Sequence, residues 1–257
     1  MKPMKSLCMV LLMLACLPVA AAPDATTLLQ KAFDNWRGRS SYTEVTMTVH
    51  RTDWERTMSM KSWTRGDDDA LVRFTAPAKD AGNATLKLAD EMWIFNPKLN
   101  QIIKLPGSMM AQSWMGSDFS YNDLAKADDV LTEYEHTLLA SETDNGHTVY
   151  TIQAIPRPDA ATVWGKQLIR VRDDGVLLAE TYFDQDMKPV KAMTTMKVAP
   201  LGGRDYPVVM TMKKSGQDEA WTRLDFTAGE FDVAIPDALF TRSNLRNPRE
   251  FTLEGRH

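Results

Sequence analysis

The sequence predicts a mainly β protein, built as an incomplete, half-open antiparallel β-barrel with an N-terminal amphipathic helix and a short helical lid. About a dozen segments alternate apolar and polar residues, and Gly, Pro, Asn or Asp residues separate most of them. A sheet of more than about ten strands tends to curl, and partial closure protects its edges. Such a curled sheet has a concave apolar face, which other parts of the chain must cover.

The first residues have the pattern of a secretory signal peptide. Lys2 and Lys5 precede an apolar run over residues 7–17, and small residues follow it. The run is too short to span a membrane. We expect cleavage after Ala21, so the protein would be exported to the periplasm.

This cleavage predicts a signal peptide over residues 1–21 and a single domain over residues 22–257. The alternative is a lipid-anchored protein, attached through Cys16. Cleavage after residue 21 removes both cysteines of the sequence, Cys8 and Cys16. The fold would then be stabilised without disulfides, which is feasible because a chain of this length buries about 70–75% of its unfolded surface.

The formal charge and the hydropathy pattern argue against a nucleic-acid-binding protein and against further membrane-spanning helices. Loss of the two signal-peptide lysines takes the formal charge from −4 to −6. A mildly acidic chain is a poor nucleic-acid binder, so no nucleic-acid partner is expected. No further apolar run reaches the length of a membrane-spanning helix.

The first element predicted after the signal peptide is an amphipathic helix. Asp24 is a suitable N-cap, the helix runs to about Arg37, and Gly38 is placed to end it. Apolar side chains at helical spacing form one face of this helix. They are Leu28, Leu29, Ala32, Phe33 and Trp36.

Strands are predicted over most of the remaining chain. In the first half they cover residues 42–50, 54–65, 71–74, 84–88, 92–95 and 101–105. In the second half they cover residues 131–139, 148–155, 166–172, 176–183, 190–198, 208–213 and 221–226. Tight turns join most neighbours, which favours an antiparallel meander.

The stretch MMAQSWMGSDFSYNDL, residues 109–124, interrupts the strands and predicts a two-part lid. Ser108 would cap a short helix that places Met110 and Trp114 on one face and ends at Gly116. A second helical turn would begin at Ser120.

The second turn has a near capping box, in which Ser120 is followed three residues later by Asp123. The apolar residues Phe119, Tyr121 and Leu124 would then point at the sheet. The two turns together would cover the open end of the barrel.

Methionine is concentrated in the first turn of this lid. Met109, Met110 and Met115 lie beside Trp114. Methionine is flexible and polarizable, and it occurs often where a surface accepts varied apolar ligands. Ligand contact and simple core filling are both consistent with this cluster.

Catalytic and metal-binding patterns are not expected to carry the function. The histidines lack the spacing of a zinc site, and no Gly-x-Ser-x-Gly motif occurs. Helix capping accounts for Asp118 and Asp123 better than a paired-carboxylate site does. We therefore expect no enzyme activity, no catalytic residue, no cofactor and no metal.

Two segments carry a family resemblance. The sequence EMWIFNP at residues 91–97, followed by MGSDFSYNDL at residues 115–124, resembles the LolA-like outer-membrane lipoprotein-sorting family. It is most similar to the larger periplasmic branch with a GSDFSYNDL-type signature. The signature residues are Gly116, Ser117, Asp118 and Asp123.

The resemblance implies a LolA/LolB-like half-barrel with an apolar cavity, and the handling of acyl chains of a lipoprotein or lipid. The function expected is that of a periplasmic carrier, a chaperone-like transport protein in outer-membrane lipoprotein sorting. The alternative is a non-carrying accessory or sensor protein of an inner-membrane exporter, an RND- or ABC-type permease. The residues expected to line the cavity and lid are Trp93, Phe95, Met109, Met110, Trp114, Met115, Phe119, Tyr121 and Leu124.

Overall fold

The computed structural model describes residues 23–249. The expected signal peptide, residues 1–21, and the alternative anchor Cys16 lie outside the described residues. Within the part of the chain that the structure describes, no helix is both long and apolar enough to cross a membrane.

The first half of the chain contains one helix and six strands. Helix α1 (Ala25–Arg37) comes first. The strands are β1 (Ser40–Arg51), β2 (Trp54–Arg65), β3 (Asp69–Ala76), β4 (Ala84–Leu88), β5 (Glu91–Asn96) and β6 (Gln101–Lys104).

Short helical turns connect the two halves of the sheet. They are two 3₁₀ turns, Gly107–Met109 and Trp114–Gly116, and the helices α2 (Tyr121–Ala125) and α3 (Asp129–Thr132). The second group of strands is β7 (Tyr134–Asp144), β8 (His147–Pro156), β9 (Lys166–Arg172), β10 (Leu177–Phe183), β11 (Pro189–Leu201), β12 (Arg204–Lys214) and β13 (Trp221–Phe231). A 3₁₀ turn (Asp237–Leu239) and helix α4 (Arg242–Arg246) follow.

All of these strands form one 13-stranded antiparallel sheet, in the order β6-β5-β4-β3-β2-β1-β13-β12-β11-β10-β9-β8-β7. Strands that follow each other in sequence pair, apart from β6 and β7, and β1 also pairs with β13 at the centre. The two ends of the sheet, β6 and β7, do not pair with each other. The sheet is therefore not closed, as the sequence predicted for an incomplete barrel.

Helix α1 forms as its sequence predicts. The Asp24 carboxylate accepts a hydrogen bond from the backbone N–H of Thr27 at 2.8 Å, which satisfies one of the free donors of the first turn. Gly38 ends the helix with a positive φ of 60°, a conformation that glycine adopts without steric cost. The apolar face packs against β8 and β9, where Leu29 and Ile152 are both fully buried.

Side chains of β1–β5 alternate between two faces of the sheet, as expected for extended strands. One face lines a cavity described below, and we call it the cavity face. The opposite face is covered by the segment 232–246, which contains α4. Buried residues on that opposite face and its cover are Tyr42, Trp63, Leu71, Ala84, Leu86, Trp93, Phe95, Ile235, Leu239, Phe240 and Leu245.

One predicted strand is partly wrong. Residues 131–139 were expected to be extended, but residues 129–132 form α3 and β7 begins only at Tyr134. Val130 and Tyr134 are buried beside α1, with 2% and 1% of their surface exposed. A short apolar run of this kind is compatible with a helical turn or a strand, and packing against α1 decides between them.

Candidate functional site: two adjoining cavities under a lid

Two cavities lie between the cavity face of the sheet and the elements that cover it. They enclose about 1010 Å³ and 1080 Å³ of space, part of it open to solvent. Four residues line both cavities, namely Trp36, Phe119, Asp123 and Ala127. The cavities are therefore neighbours that share a wall made of α1 and the connection between β6 and β7.

The first cavity lies between α1 and strands β9–β11. Its wall is mostly apolar, and aromatic rings from α1, from the connection and from β10 contribute to it. Besides the aromatic residues, polar or charged side chains interrupt this wall at Asn122, Asp123, Lys126, Asp129, Gln167 and Glu180. The apolar and aromatic residues include Leu29, Phe33, Trp36, Phe119, Trp164, Ile169, Leu177, Tyr182 and Met193.

The second cavity lies over β1–β5. Its floor is formed by side chains of the cavity face, and its roof by the connection between β6 and β7. One lysine and one arginine, Lys87 and Arg37, also line this cavity. The apolar residues include Val45, Met60, Val72, Met92, Trp114, Phe119, Leu124, Leu224 and Phe226.

The roof, residues 106–132, is called the lid segment below. Its first part is not the helix that the sequence predicted, but two separate 3₁₀ turns. The N-cap of the first turn is Pro106 rather than Ser108, and Met115 has a left-handed φ of 53°, which breaks the helix before Gly116. The chain instead closes a tight loop, in which Trp114 N donates to Phe119 O at 2.8 Å.

Ser117 is the centre of this loop and is fully buried. Its hydroxyl donates to the carbonyl oxygen of Trp114 at 2.7 Å and accepts from the backbone N–H of Phe119 at 3.2 Å. A small side chain with both donor and acceptor capacity is needed there, because a buried polar backbone group without a partner is costly. Ser117 therefore holds the loop in shape.

Asp118 ties the loop to the sheet. Its carboxylate accepts hydrogen bonds from the guanidinium of Arg51 on β1, at 3.0 and 3.2 Å, and from the hydroxyl of Thr222 on β13 at 2.7 Å. Arg51 also donates to the carbonyl oxygen of Gly116 at 3.0 Å. The signature thus has a structural function: it pins the lid segment to the central strands.

Trp114 is an anchor of the lid, with only 4% of its surface exposed. Its ring packs against Phe74 with a centroid distance of 5.4 Å, and its indole N–H donates to the hydroxyl of Thr85 at 3.0 Å. A buried indole N–H requires such a partner. Met115, Tyr121 and Leu124 pack around the same cluster, half-buried.

The second turn of the lid has the predicted capping box. Ser120 and Asp123 cap α2 reciprocally: Asp123 N donates to the Ser120 hydroxyl at 3.3 Å, and Ser120 N donates to the Asp123 carboxylate at 2.6 Å. The same carboxylate forms an ion pair with Lys191 on β11, and 6% and 4% of the two side chains are exposed. α2 is thereby attached to the far half of the sheet.

Glu180 and Tyr182 lie beside this ion pair, and the tyrosine hydroxyl donates to the glutamate at 2.7 Å. Burial raises the pKa of Glu180 to about 7, and the nearby Asp123 carboxylate adds to the rise. Burial lowers the pKa of Lys191, against the opposing effect of Asp123. Burial likewise raises the pKa of Tyr182. Glu180, Tyr182 and Lys191 thus lie in a part of the cavity wall that is shielded from solvent.

A third ion pair attaches the end of the lid segment to helix α1. Asp128 accepts two hydrogen bonds from the guanidinium of Arg37 at the end of α1, at 2.6 and 2.5 Å. Lys87 on β4 lies 3.6 Å from the same carboxylate. The lid segment, α1 and the sheet meet at this point.

The structure separates the predicted site residues into three groups. Trp114, Phe119 and Leu124 line the second cavity, and Phe119 lines the first as well. Met115 and Tyr121 pack against the same cluster without lining a cavity.

Met109 and Met110 are half-buried in the lid but line neither cavity. Trp93 and Phe95 were expected in the cavity, and this expectation is wrong. They lie on the opposite face of the sheet, packed beneath the segment that contains α4. Met92, one residue earlier, is the side chain of β5 that faces the cavity.

The sequence interpretation missed the contribution of the second half of the sheet. Glu180, Tyr182 and Lys191 were not singled out, although residues 180 and 182 share one face of a strand by their spacing. The apolar face of α1 was predicted, and Leu29, Phe33 and Trp36 prove to line the first cavity.

One group of possible metal ligands occurs among the described residues, formed by His147, Asp173 and Asp174. Its carboxylates already have protein partners. Asp173 accepts from His147 Nδ1 at 2.8 Å and from Thr148 N at 3.0 Å. The Asp174 carboxylate is paired with Arg172. The arrangement is accounted for by these turn contacts.

Comparison with known proteins supports the interpretation of the fold. The model of a family described as "Uncharacterized protein" matches residues 66–247. The chain is similar to a DUF1329 family protein from Desulfovibrio piger, with a TM-score of 0.76 and 25% identity over 86% of this chain and 97% of that one. A search of curated proteins gave no significant match.

Two further solved structures share the fold. A putative outer membrane lipoprotein-sorting protein domain from Vibrio parahaemolyticus has a TM-score of 0.73 and 19% identity, over 86% of this chain and 98% of that one. A LolA superfamily protein from Nitrosomonas europaea has a TM-score of 0.71 and 20% identity, over 86% and 99%. The open antiparallel sheet with its covers is thus the fold of the LolA superfamily. The chain belongs to the family whose model matches residues 66–247, and it shares its fold with these lipoprotein-sorting and LolA superfamily structures.

Proposed function

We propose that the protein is a periplasmic carrier that binds the acyl chains of a lipoprotein or lipid in the two adjoining cavities. The observation that carries this proposal is the mostly apolar lining of the two cavities on both sides of Phe119. A neighbouring fold is described as a putative outer membrane lipoprotein-sorting protein domain, which is consistent with such a cargo.

The energetics of acyl chains favour a covered site. Burial of acyl carbon contributes about 0.8 kcal/mol per CH₂ group, so a chain exposed to water must be shielded along most of its length. The two cavities adjoin at a shared wall, which allows one long chain or two chains to lie side by side. Each apolar wall is closed by α1 or by the lid segment.

Entry and release of the cargo require the covers to move. Four ion pairs join the lid segment to the rest of the protein: Arg51–Asp118, Lys191–Asp123, Arg37–Asp128 and Lys87–Asp128. In the proposed cycle the pairs at Asp123 and Asp128 separate while Asp118 stays bound, so the lid segment pivots on its signature loop.

Native mass spectrometry tests the proposal directly. Protein exported to the periplasm is purified without detergent, and the bound mass is released by denaturing extraction. A phospholipid or an acylated peptide would support the carrier function. An empty protein that also takes up no fluorescent acyl probe would contradict it, and would favour the alternative of a non-carrying partner of an inner-membrane exporter.

A matched pair of variants tests the location of the binding site. Leu124 lines the second cavity, whereas Leu139 on the edge strand β7 is 52% exposed. Leu124→Asp places a charge in the apolar wall and is expected to weaken probe binding by about tenfold or more, equivalent to about 1.4 kcal/mol. Leu139→Asp should bind the probe like the wild type. Equal binding by both variants would place the acyl chain elsewhere.

A further inference from the structure

Asp123 has an unusual position in the wall that the two cavities share. It lines both cavities, and only 6% of its side chain is exposed. One carboxylate oxygen, Oδ2, accepts from Ser120 N at 2.6 Å, from the Ser120 hydroxyl at 2.9 Å, and from the Lys191 ammonium. The other oxygen, Oδ1, is buried and has no hydrogen-bond partner among the described residues.

An unpartnered carboxylate oxygen in a buried place is costly. A buried acceptor without a donor loses the hydrogen bonds that it would make to water, and the loss is larger when the group is charged. Since Oδ2 already has three donors, Oδ1 is the free acceptor of a side chain that lines both cavities.

The neighbours of Asp123 determine which chemical group suits this oxygen. Glu180 is a second acceptor in the wall of the first cavity, and Tyr182 directs its hydroxyl to Glu180 rather than into the cavity. The cation Lys191 is paired with Asp123, and its ammonium lies 4.9 and 5.2 Å from the ring centroids of Trp164 and Tyr182. The polar part of the wall is therefore rich in acceptors, and Lys191 is already enclosed by partners. The other cations that line the two cavities are also paired with carboxylates: Lys126 with Asp129, and Arg37 and Lys87 with Asp128.

We propose that Asp123, with Glu180 beside it, forms a binding site for the polar head of the acylated ligand, and that it selects an uncharged head that donates hydrogen bonds through hydroxyl or amide N–H groups. This inference rests on the proposed carrier function. An anionic head, such as a phosphate or a free carboxylate, would meet the Asp123 carboxylate without gaining a free cation, so it is disfavoured. Acylglycerols and N-acyl amides have the required donors.

The test compares three ligands with the same acyl chain on the wild-type protein. A monoacylglycerol offers hydroxyl donors, the methyl ester offers no donor, and the free fatty acid offers a carboxylate. A hydrogen bond to a charged group is worth about 1.5–3 kcal/mol, so the monoacylglycerol should bind about 10- to 100-fold more tightly than the methyl ester. The fatty acid should bind more weakly than the monoacylglycerol.

The variant Asp123→Asn reverses the hydrogen-bonding capacity at this point. The amide oxygen must face Ser120 N to keep the capping box, so the amide NH₂ takes the place of Oδ1 and becomes a donor. The preference for the monoacylglycerol should then disappear. The matched control Asp129→Asn, at another carboxylate that lines the first cavity, should keep the preference.

The outcomes separate this inference from the carrier function. Binding of all three ligands with equal affinity by the wild type would overturn the polar site and leave the carrier function standing. Failure of all three to bind would overturn both. If Asp123→Asn does not fold, which thermal unfolding would show, the wild-type comparison of monoacylglycerol and methyl ester still decides the question.

Discussion

Arg51 donates two hydrogen bonds to Asp118, at 3.0 and 3.2 Å, in a place where only 1% of the Asp118 side chain is exposed. The two residues are 67 positions apart in the chain. Their contact joins the first strand to the loop that precedes α2. This ion pair is one of several contacts that position the lid segment, together with Trp114 and the ion pairs of Asp123 and Asp128.

Replacement of the arginine should therefore be costly. Arg51→Met leaves the Asp118 carboxylate buried without its cation, and breaking a buried ion pair in this way costs about 3–5 kcal/mol. Urea denaturation should show this loss in the free energy of unfolding. The control Arg170→Met removes an exposed pair with Glu142, where 44% and 59% of the side chains are accessible, and should cost less than about 1 kcal/mol. Similar losses in the two variants would show that the Arg51 pair has no special weight.

Trp114 should behave as a core residue. Trp114→Phe removes the indole N–H that binds Thr85 and part of the ring that packs on Phe74. We expect a loss of about 1–3 kcal/mol in the free energy of unfolding, from the lost hydrogen bond and the small cavity left behind. The control is Trp54→Phe at a tryptophan that is 43% exposed, where the change should be within about 0.5 kcal/mol.

Glu180 should make the stability of the protein depend on pH. Its pKa is about 7 in the folded protein, because of burial, against 4.5 for an ordinary glutamate. The folded state therefore binds this proton more tightly than the unfolded state, and stability contributed by the protonated group falls as the pH rises from about 4.5 to about 7. The hydrogen bond from Tyr182 and the charge of Lys191 lower the pKa of Glu180, whereas the Asp123 carboxylate adds to the rise.

The variant Glu180→Gln isolates this effect. At 1.36 kcal/mol per pKa unit, its gain in stability over the wild type should grow by up to about 3 kcal/mol between pH 4.5 and pH 7.5. Denaturation at a series of pH values measures the difference. The exposed Glu142→Gln on β7 is a suitable control, and it should follow the wild-type curve. A constant difference between Glu180→Gln and the wild type across this range would contradict the raised pKa.

Gly165 should not tolerate a side chain. A Cβ atom at this position would lie 2.4 Å from the carbonyl oxygen of Asp184 and 2.9 Å from the Cα of Gln185. Gly165→Ala therefore forces the backbone apart between β9 and β10, at an expected cost of about 1–3 kcal/mol. The control is Gly107→Ala, since a Cβ there meets no atom within 4 Å. Thermal unfolding should separate the two variants clearly.

Much of the sheet follows from local pattern. Three strands occur with the bounds that alternation and turn residues predict, namely β2, β4 and β9. Helix α1 and the capping box of Ser120 were also predicted, because capping depends on residues only three positions apart. Features determined within one turn or one strand are thus readable from the sequence.

The face on which an aromatic residue packs is not readable in the same way. Alternation places Trp93 and Phe95 on one face of β5, but both faces are buried here because the segment 232–246 covers the side away from the cavity. The pattern gives no sign of which face meets that segment. The expected cavity residues on β5 were therefore assigned to the wrong side.

The polar part of the cavity wall depends on contacts between distant positions. Asp123 pairs with Lys191, which lies 68 positions later in the chain. Glu180 on β10 and Lys191 on β11 lie on neighbouring strands, and a glutamate and a lysine in that arrangement predict a solvent-facing pair. Only the position of α1 and the lid segment over β10 and β11 makes them buried.

The separation of β6 from β7 has a consequence for how much the protein can hold. In a closed barrel, strand number and stagger fix the diameter. Here the ends of the sheet do not pair, and the cavities are bounded by α1 and the lid segment. Those covers are held by ion pairs such as Arg37–Asp128 and Lys191–Asp123, which can separate one at a time. Internal volume is therefore set by side-chain contacts, and it can change while every hydrogen-bonded strand pair stays intact.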